Sequence, residues 1–198
     1  MATRWSVPKM WRGETVAVMA TGPSMSKAIA DEVLDSGIAT IAINDNYKIA
    51  PWADMLYAAD SCWWNVHAQE ALNFKGIKVT CHESTVYKAV NWLRQSGVEG
   101  YDPDPKMIRT GGNSGYQAVH VAIQAGAKRI VLLGFDMGGN GHWFGKHKPP
   151  LRNTDPNSYC VWVSRFPGLM GHGAEIVNCT PNSAITCFPM MTLQEALR

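Results

Sequence analysis

The segment Thr110-Gly-Gly-Asn-Ser-Gly-Tyr116 is a glycine-rich turn that opens a helical pattern at residues 117–126, and a strand-like apolar run follows at 129–133. A turn of this kind places unpaired backbone N–H groups and the positive end of a helix dipole at one point, which suits phosphate or another anion. The chain has a similar arrangement near its start, where the apolar run 15–20 leads into Thr21-Gly-Pro-Ser24. Two such turns, each beside an apolar strand, favour a nucleotide-type ligand.

Short apolar runs alternate along the chain with longer helical ones. The predicted strands are 15–20, 40–43, 54–58, 77–80, 129–133 and 175–178. The predicted helices are 24–36, 61–73, 84–95, 114–126, 155–170 and 192–197. This alternation predicts an α/β fold: a single Rossmann-like three-layer domain over residues 1–198, with a mostly parallel sheet that binds ligands at the carboxyl ends of its strands. Residues 138–153, rich in glycine, are expected to form a long loop over that edge.

Composition narrows the class of protein. A chain of 198 residues with 46% hydrophobic and 17% charged residues is typical of one globular domain. The net charge of only +2 gives no strong nucleic-acid signal. Five cysteines without a CxxC pair indicate reduced thiols. Because no apolar run has the length of a signal core or a membrane span, we expect a cytoplasmic protein without a membrane partner.

The two glycine turns supply the first candidate ligand-binding residues. In the first turn (residues 21–24), Thr21, Gly22 and Ser24 are expected to face a phosphate with backbone amides and the serine hydroxyl. A plain strand-to-helix turn with a capping serine explains the same residues equally well. In the second turn (residues 110–116), the candidates are Gly112, Asn113, Ser114 and Gly115. Neither turn is a Walker loop or a G-x-G-x-x-G fingerprint, so classical kinase and dehydrogenase interpretations are weak.

Polar residues at the other strand ends give further candidates. Asn44 follows the second strand and has both a donor and an acceptor for a base or ribose edge, although turn chemistry also explains it. Asp60 follows the third strand, where a helix-capping role is the preferred interpretation. Asp136 ends the run 129–133 and suits ribose or metal binding. Asn182 and Ser183 follow the last strand and are expected to face the same edge of the sheet.

The long loop carries the candidates for acid–base chemistry. His142 and His147 are the best choices for a general base or acid, because histidine titrates near neutral pH. The basic side chains of Lys146, Lys148 and Arg152 would neutralise phosphate oxygens. The plainer alternative is a solvated basic loop. A metal site made from Asp136 and the two histidines matches no established spacing, and no metal site is predicted.

The ordered set of motifs resembles a known group of enzymes. The motifs are Ala20-Thr-Gly-Pro-Ser24, Ile43-Asn44, Thr110-Gly-Gly-Asn-Ser-Gly115, Leu133-Gly-Phe-Asp136 and Cys179-Thr-Pro-Asn-Ser183. Together they look like the pattern of the bacterial sialyltransferases that modify lipooligosaccharide, and of the wider DUF115 group that contains the archaeal 6-hydroxymethylpterin diphosphokinases. The likeness is greatest to small phage- and prophage-borne members of this superfamily, which would place the protein in a host cytoplasm.

The resemblance implies a site. In the sialyltransferases a cytidine monophosphate sugar donor lies over the carboxyl edge of the sheet, and a histidine after the Gly-x-Asp strand end is the catalytic base. Carried over, the base falls on His142 or His147. The donor contacts fall on Gly22, Ser24, Asn44, Ser114 and Gly115, and the family's Pro-Asn-Ser turn maps to Pro181, Asn182 and Ser183.

Three functions are therefore open. The first is a glycosyltransferase-like enzyme that moves a sugar from a cytidine or uridine nucleotide to a small-molecule or glycan acceptor, with a histidine base and no obligatory cofactor. The second is a diphosphotransferase that uses ATP and needs Mg²⁺, held by Asp136 and Asp60. The third is a non-catalytic phage protein that binds a nucleotide. Association into a homo-oligomer is compatible with all three.

Overall fold

The computed structural model describes residues 2–85, 87–139 and 141–197. The strands are β1 (Thr3–Arg4), β2 (Thr15–Met19), β3 (Ala39–Ile43), β4 (Met55–Tyr57), β5 (Ile77–Thr80), β6 (Asn91–Trp92), β7 (Arg94–Gly97), β8 (Met107–Arg109), β9 (Arg129–Leu133) and β10 (Glu175–Asn178). The α-helices are α1 (Lys27–Ser36), α2 (Ser61–Ala71), α3 (Ser114–Gln124), α4 (Ser158–Arg165) and α5 (Leu193–Ala196). Two short 3₁₀ helices lie at Asn44–Lys48 and Phe166–Leu169.

Eight of the strands form one sheet in the order β1-β6-β5-β4-β3-β2-β9-β10, and every neighbouring pair is parallel. β7 and β8 form a separate two-stranded pair. From β2 the chain moves outward through β3 and β4 to β5, and it later returns to the other side of β2 with β9 and β10. The topological switch point therefore lies between β2 and β9, where an open parallel sheet has its ligand crevice.

Helices cover both faces of the sheet. Alternate side chains of β2 point to opposite faces: Val16 and Val18 join the core on the α3 side, whereas Ala17 and Met19 join the core that contains residues of α1, α2 and α5. The two cores make three layers. The predicted Rossmann-like α/β fold is thus confirmed. None of the helices in the described part of the chain is long and apolar enough to span a membrane.

Helix α3 is buried along almost its whole length, and its polar side chains fix its position. Gln117 donates from Nε2 to the carbonyl oxygen of Thr110 (2.9 Å) and accepts a hydrogen bond from the Tyr57 hydroxyl (2.8 Å). Gln124 donates to the carbonyl oxygen of Met107, the first residue of β8, and to two carbonyl oxygens of the segment that precedes β8. These hydrogen bonds hold the N-terminus of α3 at a fixed place beside the end of β4.

The six predicted strands match the observed ones to within one residue at each end, but the predicted helix 84–95 is wrong. The chain turns there and then forms β6 and β7; Val86, which falls inside the predicted helix, lies outside the described residues. The amide of Thr3 donates to the carbonyl oxygen of Val90 (2.8 Å), and the amide of Leu93 donates to Thr80 (3.0 Å). Sheet partners on both sides thus capture a segment whose local pattern is helical.

Several helices begin later than predicted. α1 begins at Lys27, because the Ser26 side chain, not that of Ser24, accepts from the amide of Ile29 (3.3 Å). The predicted helix 155–170 divides into α4 and the second 3₁₀ helix. The predicted cap at Thr192 is confirmed, since its hydroxyl and Glu195 form a reciprocal capping box.

Candidate functional site

A cleft opens at the carboxyl edge of the sheet, above the switch point between β2 and β9. It has a volume of about 240 Å³ and is called chamber 1 below. Its walls come from residues 20–23, 43–44, 112–115 and 134–138, from the loop after β9, and from α4. Of the predicted site residues, those that line chamber 1 are Thr21, Gly22, Asn44, Asp60, Gly112, Asn113, Ser114, Gly115, Asp136, His142 and His147. The two glycine turns therefore share one rim.

The second turn presents hydrogen-bond donors to chamber 1. The Asn113 side chain caps α3 by accepting from the amide of Tyr116 (2.8 Å), and the Ser114 hydroxyl accepts from the amide of Ala59 (3.3 Å) at the end of β4. Among the described residues, the amides of Ser114 and Gly115 have no hydrogen-bond acceptor. A side chain at Gly115 would collide with the Phe135 ring, so glycine permits this close packing. Two amides at a helix N-terminus remain at the chamber wall.

The first turn is organised differently, because Asp136 takes its donors. The carboxylate of Asp136 accepts from the amide of Ser24 (3.1 Å) and from its hydroxyl (2.8 Å). The amide of Gly22 donates to the carbonyl oxygen of Gly134 (2.9 Å), and a side chain at Gly22 would overlap the Asp136 carboxylate. Ser24 is accordingly not among the residues that line chamber 1. An anion of the protein itself occupies the position expected for a phosphate.

Asn182 and Ser183 also lie outside the lining of chamber 1. The Ser183 hydroxyl donates to the carbonyl oxygen of Phe135 (2.6 Å) and accepts from the amide of Ile185 (3.1 Å). Asn182 is exposed and has a φ of 55°, which fits its place in a tight turn. This turn therefore supports the residues after β9 from behind and does not present side chains to the chamber.

The histidine loop is fastened to the end of β2. His142 and Gly145 exchange backbone hydrogen bonds (2.9 and 2.8 Å), which closes a tight turn. Between them, Trp143 donates from its amide to the carbonyl oxygen of Thr21 (3.1 Å) and from its indole Nε1 to Oδ1 of Asn46 (2.7 Å). Asn46 is fully buried and donates to the carbonyl oxygens of the last residue of β2 and the residue after it. Asn140 of this loop lies outside the described residues.

The two predicted histidines lie together, with ring centroids 4.7 Å apart. Nδ1 of His142 is 2.9 Å from Oγ1 of Thr21, and the His142 ring stacks on Phe144. Burial lowers the pKa of His142, and the neighbouring His147 lowers it further. Burial also lowers the pKa of His147, although the negative charge of Asp45 opposes this effect. Both imidazoles are therefore neutral at pH 7, the state that accepts a proton.

A buried carboxylate lies close to these histidines. Asp45 accepts hydrogen bonds from Nζ of Lys48 (2.7 Å) and Nε1 of Trp63 (2.8 Å), and its Oδ1 is 3.5 Å from Nε2 of His67. Burial raises the pKa of Asp45, but the hydrogen bonds from Lys48 and Trp63 outweigh it, so that the pKa lies below its usual value. The carboxylate is charged at neutral pH and stabilises a positive charge that forms on His147.

Helix α4 contributes two aromatic side chains that the sequence analysis missed. Tyr159 and Trp162 line chamber 1, with their rings edge to face at 5.7 Å. Arg165 holds the helix over the second turn by donating from Nη1 to the carbonyl oxygen of Gly111 (3.0 Å). No residue of α4 is buried. The available signal was the i, i+3 spacing of two aromatic residues on a predicted helix.

Two residues of the lining other than glycine have a left-handed backbone. Asn44 has a φ of 49° and Met137 a φ of 51°, values that side-chain-bearing residues rarely adopt. Each such residue costs on the order of 1–3 kcal/mol, and strain of this kind concentrates at functional sites. Both residues line chamber 1. The third described residue with this backbone other than glycine, Asn182, lies outside the chamber lining.

A second cleft, chamber 2, adjoins the first and has a volume of about 460 Å³. It lies beside the N-terminus of α2 and is also lined by residues 61–63, His82 and residues 150–151. The residues that line both chambers, called the divider below, are Asn44, Asp60, His147 and Arg152. The site is therefore one cleft with two chambers. Within the described residues, no group of three His, Cys, Asp or Glu side chains converges as a metal site.

The fold and the cleft define a parallel α/β protein with an open cleft at the carboxyl edge of its sheet. Comparison of the chain with models of protein families, with curated proteins and with solved structures finds no match. The likeness to the sialyltransferases and the DUF115 group thus stays an expectation from the motifs.

Proposed function

We propose that the protein is a glycosyltransferase-like enzyme that binds a cytidine or uridine nucleotide sugar and transfers the sugar to a hydroxyl acceptor. One observation carries the proposal. The amides of Ser114 and Gly115 and the neutral imidazoles of His142 and His147 line the same chamber. Such a transfer requires two groups: a hydrogen-bond donor that stabilises the leaving phosphate, and a base that accepts the proton of the acceptor hydroxyl.

The donor phosphate is expected at the second turn. There the two amides and the dipole of α3 favour an anion, and the exposed guanidinium of Arg152 adds a positive charge at the divider. Chamber 1 is smaller than the ~300–1,000 Å³ usual for a site that encloses a drug-sized ligand. It fits the phosphate and sugar of the donor, while the base lies against Tyr159 and Trp162 of α4. Aromatic faces of this kind stack bases.

The alternative diphosphotransferase has weaker support. It needs Mg²⁺ held by carboxylates together with the phosphates of ATP. Asp60 and Asp136 both line chamber 1, but both oxygens of Asp136 accept hydrogen bonds from Ser24. Coordination of a cation by Asp136 would compete with these bonds. The engagement of Asp136 therefore favours a reaction that does not depend on it as a metal ligand.

The test measures binding first and turnover second. We expect a cytidine or uridine nucleotide to raise the melting temperature equally in EDTA and in Mg²⁺. We expect ATP to leave the melting temperature unchanged in both conditions. Release of nucleotide from cytidine and uridine nucleotide sugars is then compared in His142→Ala, His147→Ala and the control His172→Ala, an exposed histidine outside the cleft. Loss of a general base lowers turnover by about 10²–10⁴-fold.

The expected result is such a loss in at least one cleft variant, with nucleotide binding retained and the control unaffected. Unchanged turnover in both cleft variants contradicts the proposal. A thermal shift by ATP that needs Mg²⁺ supports the diphosphotransferase in its place. Tight nucleotide binding without turnover on any acceptor supports a non-catalytic binding protein.

A further inference from the structure

We infer that chamber 2 is the acceptor subsite, that it takes a sugar or another small polyol, and that His147, not His142, is the base. The inference rests on the proposed function, because it assigns the second substrate of the same reaction. It starts from the position of His147 on the divider, where its imidazole borders both chamber 1, which holds the donor, and chamber 2.

The two histidines differ in what their ring nitrogens contact. Nδ1 of His142 is engaged with Oγ1 of Thr21, and His142 lines chamber 1 alone. The backbone of His147 is fixed by the Asn153 side chain, which accepts from its amide (2.7 Å) and donates to its carbonyl oxygen (3.1 Å). Among the described residues, no hydrogen bond reaches the His147 imidazole. His147 thus has an anchored backbone and an unengaged ring at the junction of the two chambers.

The lining of chamber 2 selects hydroxyl groups. The carboxylate of Asp60 accepts hydrogen bonds and cannot donate, so it pairs with hydroxyl groups of a ligand, and the guanidinium of Arg152 on the same divider donates to them. Asn44, Ser61 and His82 add donors and acceptors around it. Pro150 and Leu151 contribute apolar surface, on which the C–H face of a sugar ring packs. The volume of about 460 Å³ lies in the ~300–1,000 Å³ range of small-molecule sites.

The reaction balances with these groups alone. The acceptor hydroxyl gives its proton to His147, and its oxygen forms a bond to the anomeric carbon of the donor sugar. The bond between that carbon and the donor phosphate oxygen breaks, and the electron pair leaves on the nucleotide phosphate at the second turn. The imidazolium of His147 then releases its proton to water. Asp45 stabilises the transient positive charge.

Cys62 offers a probe of chamber 2, because it is exposed, lines this chamber and does not line chamber 1. Cys62→Trp fills the chamber with an indole, whereas Cys62→Ala keeps it open. Cys160→Trp, at an exposed cysteine of α4 that lines neither chamber, is the matched control. The transfer assay uses cytidine and uridine nucleotide sugars with galactose, N-acetylglucosamine or lactose, and follows acceptor-stimulated release of nucleotide.

A second measurement needs no donor. Alkylation of Cys62 by N-ethylmaleimide is followed by mass spectrometry at rising concentrations of the same sugars, with Cys160 as the internal reference. We expect at least one sugar to slow alkylation of Cys62 severalfold and to leave Cys160 unaffected. We also expect acceptor-stimulated release of nucleotide to be at least tenfold lower in Cys62→Trp than in wild type. Cys62→Ala and Cys160→Trp should retain the stimulation.

The outcomes separate the inference from the proposed function. Failure of wild-type protein to bind or turn over any nucleotide sugar overturns the proposed function, and the alkylation test still reports on chamber 2. Turnover that Cys62→Trp supports within twofold of wild type overturns the subsite. Loss of turnover in His142→Ala but not in His147→Ala overturns the choice of base. Absence of both protection and stimulation by every sugar overturns the acceptor class.

Discussion

The carboxylate of Asp136 and the backbone and side chain of Ser24 form a two-point hydrogen bond, at 3.1 Å from the amide and 2.8 Å from the hydroxyl. It joins the end of β9 to the first turn across the topological switch point. The contact thereby fixes the ends of β2 and β9 relative to each other at the place where the cleft opens. A hydrogen bond to a charged group contributes about 1.5–3 kcal/mol, which makes this contact a measurable part of stability.

The first prediction follows from this contact. Asp136→Asn is expected to lower the free energy of unfolding by about 2 kcal/mol, because the amide has one acceptor oxygen and no charge. Ser24→Ala is expected to cost about 1 kcal/mol, since only the hydroxyl bond is lost. In a double-mutant cycle the combined loss should fall short of additivity by roughly 1 kcal/mol. Urea denaturation measures all three, with Asp35→Asn at an exposed site as control. Full additivity would show that the contact carries no coupling energy.

The same contact shows the limit of inference from sequence. The second turn was predictable, because its glycines, capping residues and helix lie next to one another in the chain. That the Asp136 carboxylate accepts the hydrogen bonds of the first turn was not predictable, because Asp136 lies 112 residues from Ser24. The residue types of a turn indicate that hydrogen-bond donors are present, but they do not indicate which distant acceptor binds them. Positions of Asn182 and Ser183 behind the site depend in the same way on distant contacts.

The segment 84–95 shows a related limit for the fold. Its residues favour a helix locally, and only the arrival of β1 from the N-terminus gives β6 its second partner. The long parallel strands were predictable, because their continuous apolar character records burial on both faces. A two-residue strand such as β1 leaves no comparable pattern. The edge formed by β1 and β6 was therefore beyond prediction, whereas the rest of the sheet, including the opposite edge strand β10, was not.

The second prediction concerns the aromatic wall of chamber 1. Trp162→Ala is expected to weaken nucleotide binding by about 1–3 kcal/mol, the usual cost of losing a base stack. Because no residue of α4 is buried, the fold should tolerate the change. Isothermal titration calorimetry gives the affinity, and Val161→Ala on the exposed side of the same helix is the control. Equal affinities of wild type and Trp162→Ala would mean that the base lies elsewhere.

The third prediction is a pH dependence of stability that originates at His120 in α3. His120 is fully buried, its Nε2 accepts from the amide of Asp102 (2.9 Å), and burial lowers its pKa from 6.5 to about 4. Between these two pKa values the unfolded chain binds more protons than the folded one. Stability contributed by this residue is therefore constant above about pH 6.5 and falls as the pH drops toward 4, by about 3 kcal/mol in total.

His120→Gln keeps an acceptor for the Asp102 amide and removes the titrating group. The variant should lose stability less steeply than wild type between pH 6.5 and 4, as followed by urea denaturation across that range. Identical slopes for wild type and His120→Gln would show that the buried imidazole is not the origin of the dependence.

The last prediction tests whether the histidine loop acts through its anchor. Trp143→Phe keeps an aromatic ring in place and removes the indole donor to Oδ1 of Asn46. A buried acceptor without its partner costs about 1–3 kcal/mol, and the loop that positions His142 and His147 loses its fixed point. Because small displacements of a catalytic group cost rate far more than binding, turnover should fall at least tenfold while nucleotide affinity stays within twofold.

Trp92→Phe is the matched control for this variant, since the buried Nε1 of Trp92 has no hydrogen-bond partner among the described residues. The same substitution there removes no hydrogen bond and lies away from chamber 1. Kinetics and calorimetry on both variants separate loss of an indole from loss of the anchor. If Trp143→Phe and Trp92→Phe have equal turnover, the hydrogen bond to Asn46 does not position the base. If nucleotide affinity falls together with turnover, the loop contributes to the donor site itself and not only to the placement of its histidines.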